Sequence, residues 1–308
     1  MAFHLAGICD NTGHVHWRNE MNLTSGLYLL SAILCSASMA VVLRLFRSSQ
    51  DNRYGMILGN YLICTCIGFL LLPDRGLILH AEPVTVLCGI SGGILYVLSL
   101  VCMQSSIQSS GAILTSAFSK LGLLVPLAIS ILVFHERPGI LQASGMVMVI
   151  AAVWIFSQNK ETDLKSMQFD LGFLLIVLLT GGLSDSMAKI YDVYGVRSED
   201  AAYFFFIFFC ASVLTLFLLV QEGRKTGKKT SLRSLAAGIL VGVPNYFSSV
   251  FLLKALNGIP ATVAYPVFSA GAILLVTVIS IPLFKEYLDR RQTAALTLIL
   301  TAIILLNL

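Results

Sequence analysis

Phe118-Ser119-Lys120-Leu121-Gly122-Leu123-Leu124-Val125-Pro126 runs on through Ile129-Ser130-Ile131 to Phe134-His135-Glu136, and the pattern is answered 150 residues later by Phe268-Ser269, Ile279-Ser280-Ile281 and Phe284-Lys285-Glu286. The same ungapped register aligns Gly92 with Gly242, Tyr96 with Tyr246, Ser99 with Ser249, Leu124 with Leu274 and Gln142 with Gln292. That makes twelve identities between positions 92 and 142, about twice what apolar composition alone would supply. Duplication of one ancestral unit explains the match. Around it lie ten predominantly apolar stretches, at 26–46, 54–73, 83–103, 111–134, 139–157, 169–190, 202–221, 232–255, 261–284 and 291–308. An odd number of spans per half inverts the second half in the bilayer, and inverted halves build carriers that open alternately to two sides.

The expected fold class is therefore an all-α integral membrane protein, with ten transmembrane helices arranged as two inverted five-helix repeats around a central cavity. Residues 22–158 form the first repeat and 169–308 the second. Composition agrees: 57% of the 308 residues are hydrophobic, 12% are charged, and the mean hydropathy is +0.86. Crossing about 30 Å of hydrocarbon takes about 20 residues, which most of the stretches reach. Residues 1–21 form a polar tail, expected to be disordered, without the apolar core of a signal peptide. Met21 is a second candidate start. Cys9 with His14 and His16 lacks a second ligand cluster, so no metal is expected there. Six cysteines, Cys35, Cys64, Cys66, Cys88, Cys102 and Cys210, lie inside apolar spans as small hydrophobes.

Lys and Arg set the orientation. The side holding the connections between spans 1–2, 5–6, 7–8 and 9–10 carries thirteen of them, five in the tract Arg224–Arg233, and the other side carries six. The excess marks the cytoplasm and puts both termini outside, with the plasma membrane of a bacterium as the expected location. This bias accounts for the net charge of +4 without a nucleic-acid partner. GxxxxGK[ST], HExxH and GxSxG are all missing, so neither an enzyme nor a cofactor is expected.

Connections are short: Gln104–Ser110 reads as a polar link between spans 3 and 4, with Ala255–Pro260 as its counterpart between spans 8 and 9. Gly89 with Gly93 and Gly238 with Gly242 are small-xxx-small patterns that let helix backbones approach closely. Pro126, Pro244, Pro266 and Pro282 each remove a helical hydrogen bond and can bend their spans.

Lys120 in span 4 and Asp185 in span 6 are the ionisable groups deep in the membrane. Each costs about 2.5–3.5 kcal/mol at a helix centre, so a partner or water is required. At 1.5 Å per residue, Lys120 lies about 14 Å from one end of its span and Asp185 about 10 Å from the opposite end of its own. In a core of about 30 Å their depths differ by about 6 Å, within reach of a lysine stem. Both are expected to face one cavity, where Asp185 either pairs with Lys120 or binds cationic groups and protons. The competing reading is a local i,i+4 pair of Asp185 with Lys189. Tyr96 and Ser99 on span 3, with Tyr246 and Ser249 on span 8, form related faces suited to a neutral or zwitterionic metabolite, and Asn245 and Tyr265 add donors. Helix packing would use similar faces. Glu136 and Glu286, at the junctions of spans 4–5 and 9–10, are read as caps for the helix that follows, with gating of the two membrane faces as the alternative.

These residues resemble the EamA-type branch of the drug/metabolite transporter superfamily. The resemblance rests on Phe118–Pro126 leading to Phe134-His135-Glu136, on Pro266–Ala270 leading to Phe284-Lys285-Glu286, and on Ser36-Ala37-Ser38-Met39-Ala40 matching Ser184-Asp185-Ser186-Met187-Ala188. It implies a ten-helix basket around a central substrate cavity, with spans 5 and 10 peripheral. It also implies a secondary carrier of a small polar or amphipathic metabolite, resembling an amino acid, sugar or drug, that works by alternating access among membrane lipids. Proton coupling at Asp185 is an expectation drawn from the carboxyl itself. Many such carriers keep both termini in the cytoplasm, against the charge count here. A lipid-carrier flippase on the same fold is the alternative function.

Overall fold

The computed structural model describes residues 23–45, 53–110, 115, 118–119, 121–157, 171–227, 230–284 and 290–306. The polar tail 1–21, Lys120 and Glu286 lie outside the described residues. The helices are α1 (Leu23–Leu45), α2 (Arg53–Leu70), α3 (Pro83–Ser110), α4 (Leu124–Leu132), α5 (Ile140–Ser157), α6 (Leu171–Tyr194), α7 (Asp200–Thr226), α8 (Leu232–Leu256), α9 (Ala261–Phe284) and α10 (Arg290–Leu306). A single turn at Leu77–His80 and a 3-10 turn at Arg197–Glu199 complete the described secondary structure.

Six helices among the described residues are long and apolar enough to cross a membrane: Leu23–Val42, Pro83–Ile107, Leu171–Tyr194, Arg197–Thr226, Leu232–Leu256 and Ala261–Ile279. Shorter apolar helices occupy Tyr54–Leu70, Ile140–Ala152 and Thr293–Leu306. Among the described residues the chain is thus all-helical, with the makings of an integral membrane protein. In two places the helices depart from the pattern of apolar stretches. The Gln104–Ser110 segment is no link, because α3 stays helical through it. Two of its hydroxyls are bonded while the segment stays helical: Ser109 Oγ donates to the Ser106 carbonyl, and Ser106 Oγ shares a 2.9 Å hydrogen bond with Thr115 Oγ1 beyond the helix end. The apolar stretch 111–134 is interrupted by a turn at Gly122–Leu123, and α4 is only nine residues long. Pro126 stands in the first turn of α4, where the missing N–H costs little.

Small residues fix the closest approaches. A Cβ on Gly238 would strike the Met56 carbonyl and one on Gly242 the Ile63 side chain, so α8 lies directly on α2. Gly89 and Gly93 meet α7 at Phe206, Ile207 and Cys210 in the same manner. Both small-xxx-small patterns therefore act as expected, allowing van der Waals packing where lipid offers no hydrophobic drive. Gly182 on α6 abuts the Gly122 carbonyl and Val125, and brings the α4 interruption against α6.

Two packing centres result. One gathers side chains of α1, α4, α5, α9, α10 and the end of α8 around Leu29, Leu127, Val149, Tyr265 and Ile299. The other gathers α2, α3, α6, α7 and α8 around Tyr61, Val97, Tyr191, Phe208 and Tyr246. Ala188 packs at the edge of both, so the middle of α6 runs along the seam between them. The major helix neighbours are α1 with α8 and α9, α2 with α7 and α8, α3 with α6 and α7, α4 with α6, and α5 with α10.

Candidate functional site at the seam of the bundle

Leu175, Ile176, Leu179 and Leu183 are among the exposed apolar side chains of α6. Asp185 is exposed too, but it lies about 200° around the helix from Leu183 at 100° per residue. Its flanking serines, Ser184 and Ser186, are buried. The Asp185 carboxyl is thus exposed on the face of α6 that also carries the buried Leu174 and Lys189, away from Leu183. Among the described residues it has no ion pair or side-chain hydrogen bond.

Other side chains converge on this point. Tyr265 Oη donates to the Asp185 carbonyl at 2.8 Å, tying α9 to α6. The Tyr96 hydroxyl lies within electrostatic range of the Asp185 carboxyl, which relates α3 to α6. Ser99 faces Gly181, one turn before Asp185, with its Oγ 3.5 Å from where a Cβ would stand. Ser249 Oγ donates to the Asn245 carbonyl at 3.1 Å, and Asn245 Nδ2 donates to Asn60 Oδ1 at 3.1 Å. Ser249 and Asn245 of α8 are thereby linked to Asn60 on α2. Tyr246 belongs elsewhere: it is 1% exposed and packs against Phe204, Phe208 and Phe247. Its place on the Ser249 face is taken up by ring packing, as helix i,i+3 spacing equally allows.

The local Asp185–Lys189 pair does not form. Lys189 Nζ lies 3.0 Å from Glu136 Oε1 and 3.4 Å from Asp192 Oδ2, with all three side chains less than 10% exposed. Two carboxylates toward the end of α6 win the ammonium from the one deeper in the membrane. Glu136 caps a helix, but not the one that follows it. Its Oε1 accepts from Ala261 N at 3.2 Å and its Oε2 from Thr262 N at 3.0 Å, so it satisfies orphan donors at the start of α9. The backbone makes this possible at His135, whose φ of 54° is left-handed, while Glu136 N donates back to the Ser130 carbonyl. That reversal turns the carboxylate toward α9 before α5 begins.

Sequence reading missed Asn60 and Asp192. A carboxamide in the middle of an apolar span needs a partner, and Asn245 in span 8 offered one, which was the available signal for Asn60. Asp192 carried no such signal, because it stands near a helix end where a solvated carboxylate is ordinary.

A family model described as Small Multidrug Resistance protein matches residues 203–299, from the start of α7 into α10. An uncharacterised protein of Haemophilus influenzae (strain ATCC 51907 / DSM 11121 / KW20 / Rd) is 25% identical over 285 residues, covering 89% of this chain and 95% of that protein. A protein of known crystal structure superposes with a TM-score of 0.69 at 14% identity, over 92% of this chain and 96% of its own, which is a likeness of fold. The family match and the apolar helices support a membrane transporter in general.

Proposed function

We propose that this chain is a secondary transporter that moves a small polar or amphipathic metabolite by alternating access. Its ten helices would span the membrane as two inverted repeats, with α4 as an interrupted span. The neighbour pattern supports that reading: adding five to each helix number turns α1–α8 into α6–α3, α1–α9 into α6–α4 and α2–α8 into α7–α3, all of which are packed pairs. The pairs α2–α7 and α5–α10 map onto themselves. Such exchange symmetry is what two interconverting faces require.

The observation that carries the functional reading is Asp185, a carboxyl without a partner among the described residues, exposed on the face of an apolar helix that also carries the buried Leu174 and Lys189. A charge at that depth is sustained by water or by a ligand, and either serves a carrier. Tyr96, Ser99 and Tyr265 lie beside it, and Lys120, which lies outside the described residues, is assigned to the same cavity from the sequence alone. Asp185 would take the cationic group of the solute or a proton. The charge bias of the connections favours both termini outside the cytoplasm.

Flux measured in proteoliposomes over a solute panel, with and without a pH gradient, tests the proposal. Asp185→Asn is expected to abolish flux or its pH dependence, and Lys120→Met to reduce it. Full transport by both variants refutes the cavity assignment. Translocation of a lipid carrier in the same liposomes, without solute flux, would instead favour the flippase.

A further inference from the structure

Resting on the carrier reading, we propose that Glu136, Lys189 and Asp192 form the gate of one membrane face. Parting Glu136 from Lys189 and from the start of α9 is the step that opens the Asp185 site to that face.

That face is the one where the α2–α3, α4–α5, α6–α7 and α8–α9 connections meet. Glu82 N, ahead of α3, donates to the Glu199 carboxylate, ahead of α7, at 3.1 and 3.3 Å. Glu136, after α4, holds Ala261 and Thr262 at the start of α9. Beside Asp192, a small recess is lined by Tyr191, Arg197, Asp200, Leu253 and Asn257. The end is thus closed by polar contacts between connections, with one buried ion network beneath them.

A static cap would need less. A serine or aspartate at the helix start satisfies the first N–H groups locally, whereas here the acceptor comes from 125 residues away across the bundle. It also brings a desolvated lysine with it, and the Lys189 ammonium lies 5.8 Å from the Phe134 ring centroid. Buried ion pairs of this kind add little net stability against a well-packed apolar alternative, because desolvation offsets the attraction. What they supply is a choice between two arrangements, paired when dry and separated when water enters, which is the property of a bistable contact.

The gate and the site share their helices. Lys189 stands one turn beyond Asp185 on α6, and Tyr265 stands one turn beyond Thr262 on α9 with its hydroxyl on the Asp185 carbonyl. Displacing either helix at the site therefore pulls on the ion network. The device belongs to one face only. Superposing Ser36-Ala37-Ser38-Met39-Ala40 on Ser184-Asp185-Ser186-Met187-Ala188 puts Val41 opposite Lys189, so the other repeat has no lysine for such a pair.

The test uses the full chain, reconstituted in proteoliposomes, with its seven cysteines replaced by alanine and Ser99→Cys as the single reporter beside the site. Membrane-impermeant maleimide is applied from each side in turn. Glu136→Gln and Lys189→Met are each expected to raise labelling from the gated face about tenfold, as a tenfold rise in the open population requires. Labelling from the opposite face should stay constant or fall. An unchanged rate, or an equal rise from both faces, overturns the gate while leaving the cavity in place. No labelling of Ser99→Cys from either side overturns the gate and the carrier reading together. Should the cysteine-free background fail to fold, hydrogen exchange on the chain with native cysteines decides. Lys189→Met must then speed exchange over residues 259–266 while α2 and α7 are unchanged, and a uniform increase or no change overturns the gate.

Discussion

Glu136 and Lys189 invite a double-mutant cycle, because each is the other's principal charge partner in a place with little water. The two are 7% and 6% exposed, and their charged atoms lie 3.0 Å apart. Lys189→Met leaves the Glu136 carboxylate with two backbone N–H donors but no counter-charge, and leaves Asp192 without its ammonium. Removing one partner of a buried pair costs about 3–5 kcal/mol, so about 3 kcal/mol is expected for this change, since Ala261 and Thr262 still solvate Glu136. Glu136→Gln keeps one acceptor for α9 and leaves Lys189 with Asp192 at 3.4 Å, again about 3 kcal/mol. The double variant buries no uncompensated charge between these two positions, and about 4 kcal/mol is expected, a coupling energy of about 2 kcal/mol. Unfolding in mixed micelles of increasing sodium dodecyl sulfate content, followed by far-ultraviolet circular dichroism, measures all three. Additivity of the single effects to within about 0.5 kcal/mol would refute the argument, because contacting partners in one network must couple.

Two further outcomes are expected. Gly238→Leu should lower the midpoint of thermal unfolding by several degrees, since its side chain would run into the Met56 backbone and overpacking costs about 1–3 kcal/mol. Gly26→Leu, where a Cβ meets nothing within 4 Å, should leave it unchanged, and equal effects at both sites would show that α2 and α8 do not pack as described. A fluorescent protein fused after Leu308 should stay dark and alkaline phosphatase at the same place should be active if the termini are extracytoplasmic; the converse reverses the orientation drawn from the charge bias.

Most helix positions were legible in the sequence because a bilayer demands long apolar runs and internal satisfaction of every backbone group, and both demands are local; the helical Gln104–Ser110 segment and the break at Gly122–Leu123 were not. Composition and glycine spacing accordingly foretold the helical class and the two close approaches at Gly89/Gly93 and Gly238/Gly242. Asp185 was legible as well, since a carboxyl in an apolar run is costly wherever the helix is placed. Sequence position alone also showed the asymmetry, with Ala37 where the second repeat has Asp185; the structure has Ala37 fully buried while Asp185 is open. Partnership was not legible. Lys189 has the i,i+4 spacing for Asp185, yet it bonds to Glu136 because the left-handed His135 and the packing of α9 against α4 deliver a second carboxylate to its ammonium. Asn60 meets Asn245 across 185 residues for the same reason. Local spacing determines which groups must find a partner, and only the meeting of helices distant in the chain decides which partner each one finds.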